Sequence, residues 1–223
     1  ISNLLRGAAM VVTHSGIMDP EFWDLFEAEK VTCFHGVPNT YEMLHRIGLF
    51  EEDFPSLRTM SQAGGKLSLE LQEYYGRYAE ENGKRFIIMY GQSEATAAIS
   101  WLPAEDTLRK PGSVGIVIPG GTVRIQDEAG HPVTGTRQSG ELVYRGPNVA
   151  MGYAQRGEDL QLGDEWKGEL RTGDVAEYDE DGYLTITGRL KRYIKMGGHR
   201  VSLDEIDSMR SRLEERFSRN AET

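Results

Sequence analysis

Three stretches of this chain carry residue types at spacings that could do chemistry. The first is Met89-Tyr90-Gly91-Gln92-Ser93-Glu94-Ala95-Thr96, directly after the strand-like run Arg85 to Met89. A strand ending in Tyr-Gly-x-Ser-Glu sets small and polar groups at the carboxyl edge of a parallel sheet, where ligands bind in such sheets. Gly91 lets a ligand approach the backbone, Ser93 offers a hydroxyl to a phosphate oxygen, and Glu94 offers a hard oxygen to Mg2+. The second stretch is Glu169-Leu170-Arg171-Thr172-Gly173-Asp174. An Asp placed after a tight Thr-Gly turn can accept hydrogen bonds from both hydroxyls of a ribose. The third, Gly188 to Arg200, holds five Lys and Arg residues in thirteen positions, interrupted by Leu190, Tyr193, Ile194 and Met196. Such a segment can present cations to a phosphate, with Gly197 and Gly198 for backbone freedom. Taken singly, each stretch has a plain alternative: a strand-to-loop turn, an Asp in a β-turn, and a solvated basic loop.

Other chemistries find less support. No Walker loop and no Gly-x-Gly-x-x-Gly fingerprint occurs. Gly91-Gln92-Ser93-Glu94-Ala95 approaches the hydrolase elbow Gly-x-Ser-x-Gly, but Ala95 replaces the second glycine and no convincing His follows. His14, His35, His45, His131 and His199 show no paired metal-ligand spacing, and Cys33 is the single cysteine.

The elements that must position these residues follow from hydrophobic period. Ala8 to Thr13, Val31 to Val37, Leu57 to Gln62 and Arg85 to Tyr90 are expected strands. Between them, Asp19-Pro20 opens a helix with Phe22, Trp23, Leu25 and Phe26 on its apolar face. Tyr41, Met43, Leu44 and Ile47 suit a second helix closed by Gly48, and Leu71, Tyr74, Tyr75 and Tyr78 suit a third over Leu67 to Glu81. Alternating strands and helices predict an α/β fold with a parallel sheet covered on both faces. From Pro111 onward the runs shorten: Val123 to Ile125, Gly140 to Arg145, Glu169 to Tyr178 and Tyr183 to Thr187, with turns at Asp127–Gly130 and Asp179–Gly182. These predict a small antiparallel barrel-like subdomain. Ser202 and Glu205 form a capping box ahead of the stripe Ile206, Met209, Leu213 and Phe217. The expected organisation is a partial α/β subdomain over 1–110, a β-barrel-like subdomain over 111–189, and a hinge with the start of an α+β C-terminal domain over 190–223.

Composition restricts the partners. The chain has 223 residues and a formal charge of -10, with net charges of -6, -7 and +3 over 1–110, 111–188 and 189–223. An acidic body argues against nucleic acid as a partner, and no apolar run reaches a membrane span. A lone cysteine suggests a reducing, cytoplasmic setting. The opening Ile1-Ser2-Asn3 has no initiator Met, and the expectation is a fragment of a longer chain.

In their order and spacing, the three stretches resemble the adenylate-forming superfamily of acyl-CoA synthetases, peptide-synthetase adenylation domains and luciferases. The resemblance rests on Tyr90-Gly91-Gln92-Ser93-Glu94, on Arg171-Thr172-Gly173-Asp174, and on the run from Gly188 through Lys191 and Lys195 to Glu205-Ile206-Asp207. Ser61 to Gly65, Gly140-Glu141-Leu142 and Gly146 to Tyr153 support it. It implies an ATP-dependent acid–thiol ligase that makes an acyl adenylate, with ATP, Mg2+, a carboxylic acid, and CoA or a carrier protein's phosphopantetheine as ligands. Gly64 and Gly65 would line the floor shared by acyl group and adenylate. Tyr90 would stack on adenine, with Gly91 and Gln92 in the nucleotide site. Ser93 would meet phosphate, and Glu94 would hold Mg2+. Asp174 would bind the ribose hydroxyls, with Ile186 near the base and Arg189 near the ribose. Lys191 would be the domain hinge, Lys195 and Gly198 would serve the thioester step, and Arg200 would reach phosphate. Two parts of the family pattern find no match: the Ser/Thr/Gly-rich phosphate loop and the late lysine of the C-terminal domain. The fragment by itself is therefore expected to be inactive or nearly so. Acyl-carrier-protein synthetases, peptide-synthetase adenylation domains and a non-catalytic nucleotide-fold module remain alternatives at this point.

Overall fold

The computed structural model describes residues 2–49, 54–190, 193–196 and 199–202. The chain divides into two compact units. One comprises Ile1–Gly91 with Ser100–Gly115, and the other Gln92–Ile99 with Ile116–Thr223.

In the first unit, α1 (Ser2–Leu5) and α2 (Pro20–Ala28) precede β1 (Cys33–Gly36), α3 (Pro38–Arg46), β2 (Thr59–Gln62), α4 (Leu69–Glu81), β3 (Arg85–Tyr90) and β4 (Ser100–Leu102). β1, β2 and β3 pair in parallel, with Gly36 opposite Gln62 and Gln62 opposite Ile88. Both connections carry a helix, as parallel neighbours require. β4 departs from the expected parallel pattern. It runs antiparallel to β3, with Tyr90 opposite Ser100. The short segment 91–99 can only turn the chain back, since a parallel return needs a crossover of about a dozen residues or more. Ala8 to Thr13, expected as a strand, forms none. Met10, Val11 and Val12 are exposed, and a strand exists only where a neighbour completes its ladder.

The core of this unit is aromatic. The ring of Tyr41 lies 4.8 Å from that of Tyr75 and 5.3 Å from that of Phe86. The two phenols also tie α3 to the sheet and α4 to α3. Tyr41 donates to the Ser61 carbonyl at 2.8 Å, and Tyr75 donates to the Tyr41 carbonyl at 2.7 Å. Burial drives both phenols well above the ordinary tyrosine range. At α2 the expected cap works differently. Asp19 precedes Pro20 as expected, but its carboxylate turns back to accept from the Gly16 N–H at 2.6 Å.

The second unit opens with β5 (Ile116–Val117). A four-stranded antiparallel sheet follows in sequential order: β6 (Thr122–Gln126), β7 (Gly140–Arg145), β8 (Glu169–Tyr178) and β9 (Leu184–Arg189). Bulges interrupt the β7–β8 and β8–β9 ladders. The turns expected at Asp127–Gly130 and Asp179–Gly182 both form. Farther on, β10 (Tyr193–Met196) and β11 (His199–Ser202) make an antiparallel pair with Lys195 opposite Arg200. Ser202, expected to cap a helix, ends β11. Lys191, Gly198, Glu205 and the stripe Ile206, Met209, Leu213 and Phe217 lie outside the described residues.

Candidate functional site

The Arg-Thr-Gly-Asp stretch lies inside β8, at the β7–β8 bulge. Val143 faces Arg171 and Glu141 faces Val175, so Thr172, Gly173 and Asp174 bow out of register against Leu142 alone. Each residue of the bulge is secured locally. Arg171 pairs with the buried carboxylate of Glu141, its Nε 3.0 Å from Oε2. Thr172 Oγ1 donates to the Leu142 carbonyl at 2.8 Å and accepts from the Asp174 N–H at 3.1 Å. Gly173 takes φ +69°, a left-handed conformation that a side chain would oppose.

This local wiring turns Asp174 inward, leaving it 3% exposed. A buried carboxylate needs charge and hydrogen-bond partners. Arg189 Nε reaches Oδ1 at 2.8 Å from the facing position of β9, and Gln92 Nε2 donates to Oδ2 at 2.8 Å. The same Gln92 amide donates to the Thr172 carbonyl at 2.9 Å. Gln92 thus binds the first chemical stretch to the second across about eighty residues of sequence. Ile186 lies on β9 opposite Ala176, near the β8–β9 bulge.

Ser93-Glu94-Ala95 forms one 3-10 turn after Gln92, and Thr96 and Ala97 follow it with φ of 49° and 66°. Two consecutive non-glycine residues in the left-handed region cost about 1–2 kcal/mol each. Such strain persists where surrounding contacts impose it. Here they come from 148–153. Asn148 Nδ2 donates to the Ala95 carbonyl at 2.6 Å and to the Ala98 carbonyl at 2.9 Å, while the Ala150 N–H donates to the Glu94 carbonyl at 2.8 Å.

The Tyr153 hydroxyl donates to Glu94 Oε1 at 2.6 Å. This bond, helped by Glu94's own N–H and by the charge of Arg189, holds the Glu94 carboxyl below its ordinary value despite some desolvation. Because the folded pKa is depressed, the stabilisation of charged Glu94 is present at neutral pH and is lost only as pH falls through the folded pKa. Tyr153→Phe should move the Glu94 titration midpoint upward, toward that of a free glutamate, in a carbon-detected NMR titration; an unmoved midpoint would contradict the assigned cause.

Four further expected residues belong to the first unit. Gly64 and Gly65 follow β2, Tyr90 ends β3 and Gly91 follows it, so all four stand at the carboxyl edge of the parallel strands. Gln62, fully buried, donates to the Gly65 carbonyl at 2.8 Å and fixes that loop. In the hairpin, only the register of Lys195 and Arg200 is defined.

The sequence marks Gln92 but not its two hydrogen bonds, to the Thr172 carbonyl and the Asp174 carboxylate. Residues 146–153 only support the resemblance, with no role for Asn148 or Tyr153. The only signal for either was a polar side chain in a Gly/Pro-rich loop.

Among the described residues, no group of three or more His, Cys, Asp or Glu side chains gathers that could hold a metal ion. The single carboxylate of Glu94 would need other oxygen donors beside it to hold Mg2+. Mg2+ keeps several waters and is commonly held by one or two carboxylates together with substrate phosphates.

Residues 1–154 match the family described as AMP-binding enzyme, and the chain belongs to that family. It is 31% identical to a probable CoA ligase of Humulus lupulus, covering 94% of this chain and 39% of that one. An oxalate–CoA ligase of Arabidopsis thaliana is also 31% identical, with 94% and 40% covered. The chain therefore spans about two fifths of the length of these curated relatives. Among solved structures, o-succinylbenzoate CoA synthetase of Bacillus subtilis in complex with its acyl-adenylate intermediate superposes with a TM-score of 0.75. It is 23% identical, with 90% of this chain and 39% of that one covered, and supports the fold. The amide bond synthetase McbA of Marinactinospora thermotolerans gives a TM-score of 0.67 at 28% identity, with 82% and 37% covered. Among the described residues, no helix is long and apolar enough to cross a membrane.

Proposed function

We propose that the protein to which this chain belongs is an ATP-dependent acid–thiol ligase that converts a carboxylic acid to an acyl adenylate and passes the acyl group to a thiol. The observation that carries this reading is the Gln92–Asp174–Arg189 network. It presents a buried, oriented carboxylate beside the turn that bears Ser93 and Glu94. Asp174 is assigned to the ribose hydroxyls, Ile186 and Arg189 to the nucleoside, Ser93 to phosphate and Glu94 to Mg2+. When bound, Mg2+ would supply charge neutralisation for ATP's phosphates. The carboxyl edge of the first unit, with Gly64, Gly65 and Tyr90, is assigned to the acyl group and the base.

The basic hairpin is assigned to later work in the cycle, with Lys191 as hinge, Lys195 and Gly198 in thioester formation, and Arg200 toward phosphate. Relatives named as CoA ligases favour CoA as the thiol. The lone free thiol of Cys33 is in keeping with a cytoplasmic setting. The chain alone is proposed to bind nucleotide without sustaining turnover.

The test is ATP–pyrophosphate exchange by the full-length protein over a panel of aliphatic and aromatic acids. CoA and a phosphopantetheinyl carrier protein are then supplied as alternative acceptors. Acid-dependent exchange followed by acyl-CoA in the mass spectrum is the expected result. No exchange with any acid, or hydrolysis of ATP to ADP and phosphate, would remove the reading.

A further inference from the structure

We propose that Tyr153 and Asn148 are positioning residues that preset the turn and carboxylate with which the protein meets a divalent cation. The inference rests on the assignment of Glu94 to Mg2+ and deepens it.

The segment after Gly146 reaches the 93–98 turn in three ways. Asn148 spans the carbonyls of Ala95 and Ala98, on either side of the left-handed pair Thr96 and Ala97. Its own Oδ1 accepts from the fully buried Tyr144 hydroxyl at 2.7 Å, so the amide is locked in the orientation that makes it a double donor. The Ala150 N–H anchors the Glu94 backbone. Tyr153 then fixes one oxygen of the Glu94 side chain.

Tyr153 could not do this if it swung freely, since it is largely exposed. Its ring is held edge-on against Trp166, with centroids 4.9 Å apart. Trp166 is held in turn, because the N–H groups of Glu165 and Trp166 both donate to the Met151 carbonyl, at 2.8 and 3.2 Å. The loop therefore closes on itself behind Tyr153 and presents a phenol from a fixed point.

A carboxylate with one oxygen tied to a donor has fewer rotamers in which to offer the other to a cation. Partners of this kind orient metal ligands, and their loss commonly weakens metal binding about 10–100-fold. A structural role alone would spread its effect over the whole unit instead.

Tyr153→Phe is the decisive variant, because it removes one hydroxyl and leaves the ring on Trp166. Asn148→Ala is the companion, removing the brace but not the phenol. The readouts are Mn2+ affinity in the presence of ATP, by electron paramagnetic resonance, and AMP affinity without metal, by calorimetry. We expect Tyr153→Phe to weaken Mn2+ about tenfold while AMP affinity stays within about twofold. Asn148→Ala should shift Mn2+ in the same direction. Unchanged Mn2+ affinity in Tyr153→Phe would overturn the inference, as would a parallel loss of AMP affinity or a wild-type protein that binds AMP but takes up no Mn2+ with ATP. Failure of the wild-type protein to bind AMP would instead defeat the nucleotide reading on which the inference stands.

Discussion

Asp174→Ala should remove most of the protein's affinity for AMP. A carboxylate accepting from two ribose hydroxyls makes two charge-assisted hydrogen bonds, each worth about 1.5–3 kcal/mol. With about 1.4 kcal/mol per factor of ten, losing even part of that lowers affinity by about thirty-fold or more. The substitution also strands the partners of Asp174: Gln92 loses one of its two acceptors, and Arg189 loses its ion pair. Arg189 is largely exposed, so water takes up its charge. Gln92 keeps the Thr172 carbonyl, and the β7–β8 bulge keeps the Thr172–Leu142 bond. The unit should therefore stay folded while the ligand is lost. Calorimetric titration with AMP, beside a thermal melt of the same sample, separates the two effects. An affinity loss accompanied by an equal collapse of the melt would assign Asp174 to the fold instead.

The second large effect is on stability, in the first unit. Gly115 has φ +82°, and a Cβ there would run into the backbone of Trp101 and Leu102 in β4. Neither obstacle is a movable side chain. Gly115→Ala combines left-handed strain with overpacking against backbone and should destabilise by about 3 kcal/mol or more. Urea unfolding followed by tryptophan fluorescence checks this, since Trp23 and Trp101 both lie in this unit. A midpoint within error of wild type would mean that the Ile99–Gly115 segment is packed differently. Gly130→Ala is the contrasting variant: its φ is similarly positive, but nothing stands near its Cβ. It should show the backbone strain alone.

Much of the architecture was legible in hydrophobic period. Arg85 to Tyr90, Gly140 to Arg145 and Glu169 to Tyr178 are strands with the bounds their patterns suggest. α4 follows from Leu71, Tyr75 and Tyr78 recurring on one face. Period alone cannot say whether a strand has a neighbour. Ala8 to Thr13 has a strand's composition and no ladder, and β4 reverses direction because of the length of 91–99 rather than its residue types. The chemical stretches were legible as motifs because turn chemistry is local: Thr172 and Gly173 shape the bulge with their own side chain and φ. The contacts that join one stretch to another were not. Gln92 to Thr172 and Tyr153 to Glu94 span long separations in sequence, and no periodicity encodes a side chain's distant acceptor.

The most direct test of a nucleotide site at Asp174 is a crystal structure of the protein soaked with AMP. Both ribose hydroxyls should lie within about 3 Å of the Asp174 carboxylate, with Arg189 and Gln92 still flanking it. AMP bound elsewhere, with the Gln92–Asp174–Arg189 network undisturbed, would remove Asp174 from the nucleotide site.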